Sequence, residues 1–195
     1  MVKILYKEIR ALYTEETIRV YQAYNKIIAD EAVKQGTFGK NFKLDRMTWI
    51  KPSFLWMMYR CGWGEKEGQE KVLAIDIKRE AFDYLVKNAV VSTYSEDLGI
   101  TKEEWKKAIT SSEIRCQWDP ERDINGNALD YRSIQIGIRG KMVYEYVNSW
   151  ISKITDITDY VHELNHMRLN GKNISDLLPD EKVYESCDRL YRNHM

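Results

Sequence analysis

Long apolar runs are absent from this 195-residue chain, and no stretch approaches the ~20 residues that a membrane-spanning helix requires. The opening MVKILYKEIRALY lacks a long apolar core followed by a cleavage site, so neither membrane insertion nor secretion is expected. An excess of either charge is absent as well. Lysine plus arginine (30) balances aspartate plus glutamate (30), which removes the global field that extensive nonspecific binding to nucleic acid or to an acidic membrane would need. Cysteine is sparse. Cys61, Cys116 and Cys187 are too far apart for a CxxC knuckle and too few for a disulfide framework, so a reducing, cytoplasmic location is expected. Only 3 prolines and 10 glycines interrupt the chain, with no repeat and no linker-like tract, so its length suits one domain over 1–195.

Aromatic residues are plentiful by contrast, with 6 Trp and 13 Tyr, several beside arginine, lysine or glutamine. Such clusters line ligand sites and also occur as ordinary boundary packing. KEIRALYTEETIRVYQAYN holds two β-leaning runs around a polar turn at Thr14 to Thr17, then a helix over about Lys26 to Gln35 that Gly36 stops. LDRMTWIKPSFLWMMYRCGWG places Pro52 in the first turn of a short buried helix ended by Gly62 and Gly64. A strand at Lys71 to Ile77 precedes a helix with Ala81, Phe82, Leu85 and Val86 on one face. Thr101 and Glu104 form a capping box that opens the helix KEEWKKAI. IRCQW and RSIQIGI read as strands joined by the turn-rich DPERDINGNALDY, and Gly140 precedes the helix KMVYEYVNSWI. The C-terminal part, about 156–195, is expected to be a helical extension, with a helix from about Asp156 to Leu169. Strands and helices mix without βαβ alternation, so the expected class is α+β, a mixed or mainly antiparallel sheet flanked by helices.

HELNH, His162 to His166, matches the zinc-peptidase pattern of two histidines four apart with a glutamate after the first. At 3.6 residues per turn, Ile157, Tyr160, Val161, Leu164 and Met167 share an apolar stripe, which leaves both histidines on the polar face. Glu185 is the one attractive third ligand. A solvated helix face is the expectation, and no metal is assigned.

Polar and aromatic residues concentrate instead in IRVYQAYN, RMTWIKPSFLWMMYRCGWG, QWDPERD and YRSIQIGI. In this order, with VLAIDI between the second and third, these blocks resemble the family called domain of unknown function 4291, over about residues 8–158. That family's name specifies no chemistry.

The order of elements is also similar to that of ADP-ribosyltransferases: a strand arginine (Arg19), a Ser/Thr-bearing strand-to-helix segment (Thr48, Ser53), then an acid or amide near a late strand (Glu121, Gln135). That similarity implies NAD as cofactor and an ADP-ribosyltransferase-like fold. Arg19 would offer a bidentate fork to phosphate, Tyr21, Tyr24 and Trp49 would offer stacking faces, and Lys51 and Ser53 would complete the nucleotide site. Glu121 or Gln135 would steady positive charge at the ribose carbon. A clear glutamate pair and a Ser-Thr-Ser strand are missing, so the likeness is one of order.

Each residue also has a plainer reading. Arg19 can pair with Glu8 or Asp76, Lys51 can be solvated, Trp49 and Trp56 can share a core helix face, and Asp119, Glu121, Arg122 and Asp123 can form a salt-bridged turn. Arg132 and Gln135 cannot share one face of a regular strand. Aromatics interleaved with Arg46, Lys51, Arg60 and Arg122 suit RNA or single-stranded DNA as the alternative partner. A noncatalytic ligand-binding or interaction domain is the third class, and whether the chain is an enzyme stays open.

Overall fold

Local signals set the helices and a non-local ladder sets the rest, in a computed structural model that describes residues 6–184. Short strands β1 (Tyr6–Lys7) and β2 (Arg10–Ala11) lead into β3 (Thr17–Tyr24). Between them the Thr14 hydroxyl accepts from the Glu16 and Thr17 amides, which forms the expected polar turn. Helix α1 (Lys26–Gln35) opens on Asn25, whose side chain accepts from the Ile28 amide, and closes on Gly36 at φ 73°. Then come β4 (Thr48–Ile50) and α2 (Phe54–Cys61). Ser53 caps α2, so Pro52 lies just before the helix and not in its first turn.

β5 (Lys71–Lys78), α3 (Arg79–Asn88), β6 (Val90–Val91) and α4 (Lys102–Ser111) follow, α4 with the capping box at Thr101 and Glu104. β7 (Ile114–Arg122) and β8 (Ala128–Ile138) make a long hairpin. The segment read as a turn is therefore mostly strand. The reversal is confined to the neighbourhood of Asp123, whose carboxylate accepts from the amides of Asn125 and Asn127.

α5 (Lys141–Glu145) runs into a wider π-turn at Tyr146–Trp150 and then into β9 (Ile151–Asp156), a strand that helical periodicity concealed. Of the expected C-terminal helical extension, α6 (Thr158–Leu169) is helical. Ser175–Leu177 is a single 3-10 turn, and β10 (Lys182–Val183) returns to pair with β2.

β8 carries β7 on one edge, and on the other it carries β1, in parallel, and antiparallel β4; β6 adds in parallel to β7. β3, β5 and β9 form an antiparallel sheet. The Tyr21 amide donates to the Lys51 carbonyl at 2.7 Å, and this bridge joins the two sheets into a mixed half-barrel flanked by helices. The expected α+β class is what the chain adopts.

Alternation along the strands divides the molecule. Ile18 and Val20 of β3, Ile75 and Ile77 of β5, and Ile136 and Ile138 of β8 fill the inner core. On the opposite face of β3 and β5, Tyr21 and Ala74 pack under α2 and α6 with Phe54, Met58, Val161 and Leu164. This second core is what holds α2 against the sheets.

Candidate functional site

The register of the hairpin decides which predicted residues meet. Gln117 lies opposite Gln135, Asp119 opposite Ser133, and Gly137 opposite both Arg115 and Trp49. These residues share one sheet face, and Lys51, one step beyond the Ile50–Ile136 pair, stands beside Gln135 on it. Ile134, Ile136 and Ile138 point the other way into the core. Arg132 is thereby separated from Gln135 and donates to the Trp118 carbonyl at 2.7 Å.

The Trp49 indole lies against Gly137, where a Cβ would stand 2.9 Å from the ring and 2.8 Å from Met47 Sδ. Gly137→Ala is expected to cost about 1–3 kcal/mol by overpacking, read as a lower urea midpoint. An unchanged midpoint would show that the ring moves aside freely.

Lys51 is 7% exposed, which corrects the expectation of a solvated lysine; α2 folds over it. Its Nζ donates to the Trp49 carbonyl at 3.2 Å and stands 5.6 Å from the Trp56 ring centre. No carboxylate pairs with it among the described residues. Asp119 is an acid whose charge bears on it, and both Asp119 oxygens already accept, from Gln117 at 2.9 Å and from Gln135 at 2.7 Å. Burial, reinforced by the Arg60 charge, lowers the Lys51 ammonium to about 7 against the weaker opposing pull of Cys61 and Asp119.

Glu121 lies farther along β7 and is 4% exposed. Its carboxylate accepts from the Arg122 amide at 2.8 Å, and burial raises its proton affinity above the usual range against the opposing influence of that amide and of the nearby Ser53 and Ser133 hydroxyls. Ser53 is thus both the α2 cap, accepting from the Trp56 amide, and a polar neighbour of Glu121. The plainer reading of Asp119, Glu121 and Arg122 as a turn is replaced by strand positions.

The other predicted residues lie elsewhere. Arg19 faces Asp76 across β3 and β5, and its fork is filled by that carboxylate at 2.8 and 2.9 Å. Tyr24 faces the inner core, its hydroxyl 3.0 Å from Thr48 Oγ1 and its ring packed against Phe38 and Phe42. Tyr21 is 1% exposed in the second core, and its hydroxyl has no partner among the described residues.

Gln117 and Asp119 are not among the residues expected at the nucleotide site. Their alternate spacing opposite Gln135 was the available signal, usable only once the hairpin register is known. For Glu181, whose carboxylate accepts from the Phe54 amide at the start of α2 at 2.7 Å, no local signal exists.

The HELNH helix is anchored by its middle. Asn165 is buried, donates to Glu65 at 3.2 Å and accepts from Arg168 at 2.7 Å. His162 and His166 are exposed, His162 lying against Gly64, and no metal-ligating cluster of three forms among the described residues. Glu185, the suggested third ligand, is outside those residues.

Fold and site therefore define an α+β domain whose polar cluster lies where α2 crosses the β4–β8–β7 face, and no helix of the described residues is long and apolar enough to cross a membrane. The chain belongs to the family described as Domain of unknown function (DUF4291), which matches residues 8–184 and so extends through α6 and the return to β10. No curated protein matches it.

Proposed function

We propose that the cluster of Trp49, Lys51, Gln117, Asp119 and Gln135 binds a phosphate-bearing nucleotide. One observation carries this reading: Lys51 places its amino group in a desolvated position beside the Trp56 ring, with a backbone carbonyl as its hydrogen-bond partner and no carboxylate paired with it among the described residues. A buried cation without an anion is unfavourable, and a phosphate oxygen supplies the missing charge and acceptor. Trp49 offers an indole face for a base. The side-chain carbonyls of Gln117 and Gln135, whose NH2 groups are turned to Asp119, remain for hydrogen bonds to a base or ribose.

In the narrower form of the proposal the nucleotide is NAD and the reaction is ADP-ribosyl transfer, with Gln135 or Glu121 toward the ribose. Lys51 then takes the phosphate role expected of Arg19, whose fork is occupied by Asp76.

The test is a thermal-shift series with NAD, ATP and AMP at millimolar concentration. A rise in Tm with at least one nucleotide is expected, lost in Lys51→Met and retained in Arg19→Lys. No shift with any of them, or a shift with single-stranded oligonucleotides alone, would overturn the reading. Nicotinamide release decides the narrower form.

A further inference from the structure

The two glutamines of the polar cluster are held in one orientation. Gln117 of β7 and Gln135 of β8 are directly opposite each other, so their side chains stand side by side on the sheet face. Asp119, two residues along β7 on that face, takes one amide from each: Gln117 Nε2 donates to one carboxylate oxygen at 2.9 Å and Gln135 Nε2 to the other at 2.7 Å. A carboxylate only accepts, so neither carboxamide can turn over without setting oxygen against oxygen. The amide end of each glutamine is spent, and its carbonyl end is directed away from Asp119.

Those two carbonyl oxygens have no hydrogen-bond partner among the described residues. Lys51, beside Gln135, gives its hydrogen bond to the Trp49 carbonyl instead. Both glutamines are partly exposed, and neither carbonyl oxygen is among the sealed, partnerless polar atoms of the interior, so a ligand can reach them. An amide that donates to a charged acceptor is polarised by it, which strengthens the carbonyl at its other end. Two such acceptors side by side match a ligand group that offers two N–H bonds from one nitrogen, and they repel a group that offers a lone pair in its place.

A stacking surface adjoins them. The Trp49 indole rests against Gly137, two residues from Gln135 on the same face of β8. A base laid on this indole turns its edge toward the glutamine pair.

We propose, resting on the nucleotide reading above, that Gln117 and Gln135 together read an exocyclic amino group, so that the site takes an amino-bearing base such as adenine or cytosine and rejects the oxo counterparts hypoxanthine and uracil. Each glutamine carbonyl accepts one hydrogen of the amino group. Asp119 does not touch the ligand and is the positioning residue. Gln135 is then a base contact, which leaves the ribose of the narrower form to Glu121. An oxo base sets a third oxygen against the two carbonyls, and because Asp119 holds both amides, neither glutamine can turn its NH2 to meet it.

The experiment is calorimetric titration of the full chain with AMP, IMP, CMP and UMP at one pH and one salt concentration. Each pair exchanges an amino group for an oxo group on the same ring. AMP is expected to bind more tightly than IMP, and CMP more tightly than UMP, by about tenfold to a hundredfold. In Asp119→Asn the new carboxamide can donate as well as accept, a glutamine is free to turn, and both ratios fall toward one. A purely structural role for Asp119 would weaken all four nucleotides alike and leave the ratios where they were. The wild-type ratios do not depend on any variant folding. Equal affinities within both pairs, or tighter binding of the oxo members, would overturn the proposal and leave the nucleotide reading standing. Ratios unchanged in Asp119→Asn would remove Asp119 from it, and binding of none of the four would sink both readings together.

Discussion

Gln22→Ala is expected to lower stability by about 3 kcal/mol or more, because Gln22 is the polar knot between the two sheets. It is 3% exposed on the inner face of β3. Its Nε2 donates to Thr48 Oγ1 at 2.8 Å and to Tyr24 Oη at 2.9 Å, and also lies 3.2 Å from the Trp49 carbonyl; its Oε1 accepts from the Tyr146 hydroxyl at 2.7 Å. Tyr146 is fully buried in the π-turn, so truncating Gln22 leaves that hydroxyl with neither protein nor bulk water to receive it. A buried donor left unmet costs ~1–3 kcal/mol, and the space vacated by the side chain adds a cavity term. At ~2–4 °C per kcal/mol for a chain of this size, the drop in Tm is about 6–12 °C. The pair Gln22→Leu and Tyr146→Phe discriminates the cause. Removing both partners at once should cost less than the sum of the single changes, since no polar group is then stranded. Additive losses, or a Gln22→Ala loss below about 1 kcal/mol, would assign the coupling between β3 and β4 to apolar packing alone.

The position of Gln22 explains what could and could not be read from sequence. It sits between Tyr21 and Tyr24, both of which the aromatic pattern singled out, and it was passed over. Alternation says that Tyr21 and Gln22 face opposite ways; which of those ways is the core depends on β5 and α2, far along the chain. Features set within a few residues were legible for the same reason. Asn25 and Gly36 bound α1, and Thr101 with Glu104 caps α4, through contacts that the local sequence contains. β9 was missed because Val147, Trp150, Ile151 and Ile154 continue a helical spacing across the π-turn, and only pairing with β5 makes a strand of Ile151–Asp156. For the site, Trp49, Lys51 and Gln135 came together on one sheet face. Arg19 did not, since a cross-strand carboxylate was already aligned with it. Burial of Lys51 is a tertiary property: the same WIKPS segment would be solvated if α2 folded elsewhere.

Lys51→Met is expected to stabilise the unliganded protein while abolishing nucleotide binding. The unfolded ammonium has its ordinary value of 10.5, and in the folded chain burial brings it to about 7. The folded state therefore binds fewer protons than the unfolded state between these values, and stability rises with pH across that interval. Below about pH 7 both states are protonated, and the folded chain carries the whole cost of a desolvated charge, on the order of 5 kcal/mol at ~1.36 kcal/mol per pKa unit. Methionine has a similar length and no charge, so it removes this cost and gives up the single bond to the Trp49 carbonyl. The gain should be about 2–4 kcal/mol near pH 6 and shrink to about 1 kcal/mol or less by ~pH 10, measured as the difference in urea unfolding free energy at each pH. A bound phosphate reverses the balance. It restores the proton affinity of Lys51, so that the wild-type chain takes up a proton on binding near neutral pH and the methionine variant does not. If Lys51→Met were instead destabilising at pH 6, the ammonium must already be compensated, and the vacancy for an anion on which the nucleotide reading stands would not exist.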